Sequence, residues 1–105
     1  MRFQVKMIVK VHKNQEGRTV AALCDTEIAG KKFEEGEKQL DLASDFYAGE
    51  ETDDQHAGDI IRNADIVNLV GEKSVECGVK EGVIEEEHVK KISGIPYAQA
   101  IIEHE

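Results

Sequence analysis

The stretch that decides the fold is residues 64–82, Ala-Asp-Ile-Val-Asn-Leu-Val-Gly-Glu-Lys-Ser-Val-Glu-Cys-Gly-Val-Lys-Glu-Gly. Its first half contains a short apolar run, residues 66–70, which is interrupted only by Asn68. Such a run is typical of a strand that is covered on both faces. The sequence therefore predicts a buried strand here.

A helix is predicted directly after that strand. Gly71 marks the turn, and Gly82 is suited to end the helix because glycine adopts the left-handed conformation of a last turn without strain. Between them an apolar stripe recurs at every fourth residue, the spacing with which a helix packs on a sheet. The stripe consists of Val75, Val79 and Val83. Gly78, inside the helix, costs about 1 kcal/mol relative to alanine, which indicates close packing at that point.

Length and composition limit the class of protein. A chain of 105 residues is expected to be a single domain, residues 1–105, that buries roughly 65% of the surface of the unfolded chain. There is no Trp and aromatic residues are only 5%, so the core is expected to consist mostly of Val, Ile, Leu and Ala. No segment approaches the ~20 apolar residues of a membrane span, and the amino terminus alternates where a signal peptide would be continuously apolar. We therefore expect a cytoplasmic protein with no membrane contact.

The net charge of −9 is divided unequally along the chain. Residues 1–33 carry a net charge of +4, whereas the remaining 72 residues carry −13. This division predicts an acidic body with one basic face, which would orient the protein on a polyanion. The alternative is a generally acidic, solvated surface with an ordinary lysine-lined edge strand.

The basic face is predicted on the first strand. Apolar residues occupy every odd position of residues 3–11, so the strand is half-buried. Its other face carries basic residues at multiples of a repeat of ~6.7 Å, which is close to the spacing of phosphates. These residues are Arg2, Lys6, Lys10 and His12. Lysines on an outer strand also prevent edge-to-edge aggregation, which is the structural alternative.

The remaining elements follow from periodicity and from turn residues. The sequence predicts strands at residues 18–24 and 38–43, a helix from Thr52, a short helix at residues 85–92 and a last strand at residues 95–102. The predicted order is β-β-β-α-β-α-α-β. We therefore predict a single layered α+β domain whose mixed sheet has an antiparallel amino-terminal hairpin, with the helices on one face.

Catalytic and metal motifs are not found in the sequence. Cys24 and Cys77 lie 53 residues apart and are predicted to be buried, reduced thiols. The four histidines lack the spacing of a zinc or calcium site, so neither a metal nor a cofactor is predicted. Gly71 lies at a strand-to-helix turn, as in phosphate sites, but Glu72 would place a carboxylate where the anion binds.

A set of polar residues lies in otherwise apolar segments. If the last strand lies next to the buried strand, Asn68 and Gln99 face each other, with Tyr97 nearby. The two amides then either form a buried pair that satisfies one another or the backbone, or they recognise a base, a peptide or a small polar ligand. Phe46 and Tyr47 lie in a predicted loop, either as buried anchors or as an exposed contact site.

Several ordered segments together resemble one family. They are Lys-Val-His (10–12), Gly-Lys-Lys-Phe-Glu-Glu-Gly (30–36), Asp-Phe-Tyr-Ala-Gly-Glu (45–50), Ala-Asp-Ile-Val-Asn-Leu-Val-Gly-Glu (64–72) and Gly-Ile-Pro-Tyr-Ala-Gln (94–99). Over nearly the full length the chain resembles the archaeal family catalogued as domain of unknown function 424. The resemblance implies an archaeal cytosolic protein and supplies no activity. Tyr97 and Glu85 stand where many members are expected to have His and Asp.

The preferred hypothesis is a non-enzymatic module that binds RNA or a ribonucleoprotein through the basic hairpin face. The residues proposed for this contact are Arg2, Lys6, Lys10, Lys31 and Lys32. One alternative is a small-ligand protein or an enzyme whose pocket is edged by Asn68, Tyr97 and Gln99. Another is a protein adaptor that uses Phe46 and Tyr47. The oligomeric state does not follow from the sequence.

Overall fold

A six-stranded sheet and a separate two-stranded hairpin contain the strands of the computed structural model, which describes residues 7–103. The strands are β1 (Met7–Lys13), β2 (Thr19–Asp25), β3 (Lys32–Glu35), β4 (Lys38–Asp41), β5 (Glu50–Thr52), β6 (Ile66–Val70), β7 (Lys90–Ile92) and β8 (Ile95–Ile101). The helices are α1 (Asp54–Asn63) and α2 (Glu72–Lys80), and short 3-10 turns lie at Thr26–Ile28, Asp45–Tyr47 and Glu86–His88. The α+β class is confirmed.

The deciding stretch folds as predicted, with β6 leading directly into α2. The strand order in the large sheet is β5-β1-β2-β6-β8-β7, so β6 is central; it is parallel to β2 and antiparallel to β8. Val67, Leu69 and Val70 are buried. Gly71 has a φ of 104°, and its N–H donates to the carbonyl of Pro96 over 2.8 Å. A positive φ at the turn favours glycine over any residue with a side chain.

Both helices pack on the same face of the large sheet. Alternate strand residues point to this face and form one apolar core with the inner sides of α1 and α2. The sheet contributes Met7, Val9, Ala21, Leu23, Val67, Leu69 and Ala98, and the helices contribute Ala57, Ile61, Val75 and Cys77. The predicted half-buried first strand is confirmed from Met7 onward, and its earlier residues lie outside the described part.

Gly78 allows the close approach of α2 to the sheet. A Cβ at this position would lie 2.3 Å from Cδ1 of Leu69 and 2.9 Å from Cγ1 of Ile84. Ser74, Val75, Cys77 and Gly78 are buried, whereas Val79 and Val83 pack against the core and are only partly buried. The buried face of α2 is therefore rotated relative to the predicted valine stripe.

The short helix predicted at residues 85–92 is wrong. A single 3-10 turn is followed there by β7, which pairs with β8. The two strands are joined by Ser93 and Gly94, with φ values of 51° and 80°. A two-residue loop with two positive φ values has the twist of a tight β-hairpin. The backbone bonds to β8 thus replace those of a helix too short to be stable alone.

The predicted third strand forms, but outside the large sheet. β4 pairs only with β3, and the predicted order also lacked β3, β5 and β7. The β3–β4 hairpin covers part of the sheet face opposite the helices, where its Phe33 and Leu40 pack with Cys24 and Val70. Ser93 holds it in place by donating its N–H to Oε1 of Glu35 over 2.7 Å and its hydroxyl to the carbonyl of Glu34 over 2.8 Å.

Candidate nucleic-acid interface

A polar row crosses four strands on the sheet face opposite the helices. Lys10 is paired with Ala22, Ala22 with Asn68, and Asn68 with Gln99. Since neighbouring strands lie ~4.8 Å apart, the row spans ~14 Å from Lys10 to Gln99. The prediction that Asn68 and Gln99 face each other is confirmed.

The amides of this row are accessible to solvent. Asn68 is half-buried and Gln99 is exposed, whereas Ala22 between Lys10 and Asn68 is completely buried. A fully buried amide pair, the structural alternative, therefore does not describe them. Donor and acceptor groups of both amides are available to a ligand on this face.

A second row runs beside the first and lies two residues away from it in each strand. It consists of His12, Val20, Ile66 and Ile101, which are paired in the same four strands. We call the two rows together the open face; its members are Lys10, His12, Val20, Ala22, Ile66, Asn68, Gln99 and Ile101. No Asp or Glu belongs to it, although the chain has 22 acidic residues. Ile101 is 65% exposed, so the surface at β8 is apolar as well as polar.

An aromatic pair borders the open face at β1. The turn Asp45–Tyr47 lies against β1 and β2 and brings the ring of Phe46 to 4.7 Å from the ring of His12, edge to face. Phe46 remains 37% exposed, whereas Tyr47 is half-buried beside Cys24. Burial, and secondarily the charge of Cys24, raises the pKa of Tyr47 to about 12. Tyr47 is thus the buried anchor and Phe46 the accessible ring.

Tyr97 lies in the next row along the sheet, under the β3–β4 hairpin. It is paired with Val70 and packs partly buried against the apolar cluster of Cys24, Leu42 and Val70. The structure thus brings Asn68 and Gln99 together on the open face and holds Tyr97 beside it against the hairpin. A pocket edged by all three residues stays a prediction.

The predicted basic strip is only partly described. Lys10 lies on the open face, and Arg2 and Lys6 fall outside the described residues. Lys31 and Lys32 are exposed at the start of the β3–β4 hairpin, where Lys32 is paired with Asp41, and they do not belong to the open face. Among the described strip residues, Lys10 and His12 therefore define its position.

Both cysteines are free and buried, as predicted. Burial, and secondarily the charge of Asp25, raises the pKa of Cys24 to about 11. The pKa of Cys77 is also raised, first by burial and then by nearby acids such as Asp54. Because the thiolate is the nucleophile, these thiols are poorly suited to covalent catalysis at neutral pH.

The strand-to-helix turn at Gly71 is filled by a carboxylate from within the chain. Asp25, only 2% exposed, accepts the N–H and the hydroxyl of Ser74 on Oδ1, each over 2.8 Å, and the N–H of Lys73 on Oδ2 over 3.0 Å. The position that an external phosphate would occupy is thus taken. No local sequence pattern predicts this contact, because Asp25 lies 49 residues from Ser74.

Two further groups of polar residues lie outside the open face. A groove of about 560 Å³ runs between α1 and α2. Its Arg62 donates hydrogen bonds to Glu81, which also lines the groove, and to Asp59, which lies outside the groove. Glu85, Glu87 and His88 bring potential ligand atoms within 4.8 Å of one another, but all three are exposed. Clustered carboxylates are common on acidic surfaces, so neither group defines a site.

Comparison with known proteins supports the fold. A family model described as "Protein of unknown function (DUF424)" matches residues 12–102. The crystal structure of an uncharacterized conserved protein from Methanopyrus kandleri is similar, with a TM-score of 0.81, 24% sequence identity and 95% of each chain covered. No curated protein matches the sequence. Within residues 7–103, no helix is long and apolar enough to cross a membrane.

Proposed function

Since the chain belongs to the DUF424 family of proteins of unknown function, we propose from its own surface that it is a non-enzymatic module that binds RNA or a ribonucleoprotein. The observation that carries the proposal is the polar row from Lys10 to Gln99. It places a cation and two accessible amides on one face of the sheet. A cation contacts phosphates, and amides contact base edges and sugars.

Charge supports a polyanionic ligand at this face. The chain as a whole carries −9, yet the open face contains Lys10 and His12 and no carboxylate. A local region without acids lets phosphates approach a molecule that otherwise repels them. Because the remaining surface is acidic, binding by the isolated protein should be weak. We place the protein in an archaeal ribonucleoprotein or translation setting, where a larger assembly supplies further contacts.

The buried side chains favour a binding module over an enzyme. Cys24 and Cys77 have raised pKa values, and the buried carboxylate of Asp25 accepts hydrogen bonds from three donors at the start of α2. A nucleophile for covalent catalysis needs a lowered pKa or a positioned base. Neither thiol has a lowered pKa.

The test measures binding of a fluorescent single-stranded RNA by anisotropy, from ~20 to ~200 mM salt, for the wild type and for Lys10→Ser. Each phosphate contact contributes about 0.7 to the slope of log affinity against log salt for single strands, so Lys10→Ser should reduce the slope by about that amount. Lys80→Ser is the matched control, because Lys80 is exposed on α2, on the other side of the sheet.

Two outcomes would overturn the proposal. One is the absence of RNA binding by the wild type at the lowest salt, both alone and in a pull-down from a native archaeal extract. The other is an equal effect of Lys10→Ser and Lys80→Ser, which would mean that any lysine of the surface serves equally. In either case a small polar ligand at Asn68 and Gln99 becomes the next hypothesis to test.

A further inference from the structure

We infer that the RNA bound by the open face is single-stranded, with an unpaired base against the ring of Phe46 and the edge of a neighbouring base against the amides of Asn68 and Gln99. This inference rests on the proposed function and specifies its ligand. It follows from three features of the surface: the exposed aromatic ring, the position of the amides and the small number of cations.

The ring of Phe46 favours unpaired bases. It is 37% exposed, and its contacts with His12 and Tyr47, at 4.7 and 5.0 Å between ring centroids, hold it at the border of the open face. In a duplex the faces of the bases are stacked on each other and are unavailable. In a single strand a base stacks on such a ring, which contributes about 1 to 3 kcal/mol per base.

The amides lie at the far side of the same face. Asn68 is two strands from Lys10 and Gln99 is three, which corresponds to ~10 and ~14 Å. This distance exceeds the ~3.4 Å rise of a stacked strand, so one RNA strand that contacts both Lys10 and the amides does so with nucleotides that are not stacked on each other. Each amide presents both a donor and an acceptor, which complements the edge of an unpaired base.

Among residues 7–103, the open face has few cations, which favours a single strand over a duplex. Recognition of A-form RNA depends on contacts to phosphates and 2′-hydroxyls, because its major groove is too deep and narrow for side chains. Lys10 is the only Lys or Arg of the open face within the described residues, and this face also includes the apolar Ile66 and Ile101. Stacking and amide contacts must therefore contribute a large part of the affinity, and that part does not depend on salt.

The experiment compares three probes at low salt: a single-stranded RNA of mixed sequence, a blunt duplex of the same length, and inorganic polyphosphate. The wild type should bind the single strand at least tenfold more tightly than the duplex or polyphosphate. Phe46→Leu, which keeps an apolar side chain but removes the aromatic ring, should weaken single-strand binding about tenfold, and Gln99→Ala should weaken it severalfold. Binding of the duplex should change little in either variant.

The matched control is Val11→Ala, which shortens another exposed apolar side chain. Val11 is 50% exposed and points to the helix side of β1. Gln99 is exposed at β8, so its substitution reports on contacts even if Phe46→Leu alters the turn. Equal binding of single strand and duplex, with no effect of Phe46→Leu or Gln99→Ala, would overturn this inference and leave the proposed function standing. Absence of binding to both RNAs would overturn the proposed function itself.

Discussion

The carboxylate of Asp25 determines what the turn at Gly71 can do. It accepts three hydrogen bonds from the first turn of α2, where the free N–H groups and the helix dipole favour a negative charge. A Cβ on Gly71 would lie 2.4 Å from Cγ of Asp25, so the glycine makes room for this carboxylate. The turn therefore serves to fasten β2 to α2 and not to bind phosphate.

Removal of this carboxylate should destabilise the fold. Asp25→Ala leaves two backbone N–H groups and the Ser74 hydroxyl without their acceptor in a buried position. We expect a loss of about 3 kcal/mol in the free energy of unfolding, measured in urea. Glu37→Ala, at an exposed hairpin turn, should change it by less than about 0.5 kcal/mol. A loss of similar size in both variants would contradict the role assigned to Asp25.

The raised pKa of Cys24 predicts that the stability of the fold declines at alkaline pH. Burial disfavours the thiolate and raises the pKa of Cys24 from its ordinary value of 9.0 to about 11 in the folded protein. A raised pKa stabilises the folded state fully below about pH 9, and the stabilisation is lost as the pH rises towards 11. Because of this thiol, the free energy of unfolding should be lower at about pH 10.5 than at about pH 8, by on the order of 2 kcal/mol.

The reference for this measurement is Cys24→Ala. The variant should be less stable at neutral pH, because it loses a buried side chain, and its stability should fall less steeply above pH 9. Tyr47, with a pKa of about 12, contributes to the decline of both proteins through its burial, whereas the secondary effect of the Cys24 charge is lost in the variant and adds to the difference. Identical pH dependence of wild type and variant would show that the Cys24 thiol does not titrate as assigned.

At the scale of elements, the best predictions came from segments with a strong apolar period. β1 and α2 have such a period, and β6 is a nearly continuous apolar run; β6, α2 and β8 form where the sequence predicts them, as does β1 from Met7 onward. The wrong helix at residues 85–92 has acids at its start and lysines at its end, which is the pattern of helix termini. The tight loop at Ser93 and Gly94 and the pairing with β8 override that local signal.

The β3–β4 hairpin illustrates a second limit. β3 contains Phe33 as its single apolar residue among charged ones, so alternation is not detectable over four residues. Its place is determined by tertiary contacts, through Ser93 and through the cluster around Leu42. Such contacts join residues distant in the chain, and no local pattern encodes them.

Gly78 gives a direct test of how α2 packs. Alanine improves helix propensity by about 1 kcal/mol, but at this position its Cβ would lie 2.3 Å from Cδ1 of the fully buried Leu69. Overpacking of a core costs about 1 to 3 kcal/mol, so the clash should prevail. We expect Gly78→Ala to lower the free energy of unfolding by about 1 kcal/mol, and Leu69→Val in the same chain to recover part of that loss.

Gly58 in α1 is the matched control for this substitution. A Cβ there would meet Oε2 of Glu81 at 2.6 Å, which is the end of a flexible side chain that can move. Gly58→Ala should therefore be neutral or stabilising. If both alanine variants were stabilised equally, the close contact between α2 and β6 would not be a determinant of the fold.

For the whole molecule, charge was predictable in amount but not in position. The division between a basic first third and an acidic remainder is evident in the sequence, and Lys10 does lie on the face opposite the helices. The pairing of Asn68 with Gln99 was inferred on the condition that β6 and β8 are neighbours, which the structure satisfies. His12 follows from the alternation of β1, as Lys10 does, whereas the contribution of Phe46 depends on the turn Asp45–Tyr47 lying against β1, which the sequence does not show.

Salt should act in opposite directions on folding and on RNA binding. A net charge of −9 in a chain of 105 residues destabilises the compact state by self-repulsion, and counterions screen it. We expect the melting temperature to rise by a few degrees as NaCl increases from ~20 to ~200 mM, while the affinity for single-stranded RNA falls over the same interval. Loss of binding at higher salt then reflects weaker contacts with phosphates, because the fold is more stable under those conditions. A melting temperature that falls together with the affinity would instead attribute the loss of binding to unfolding.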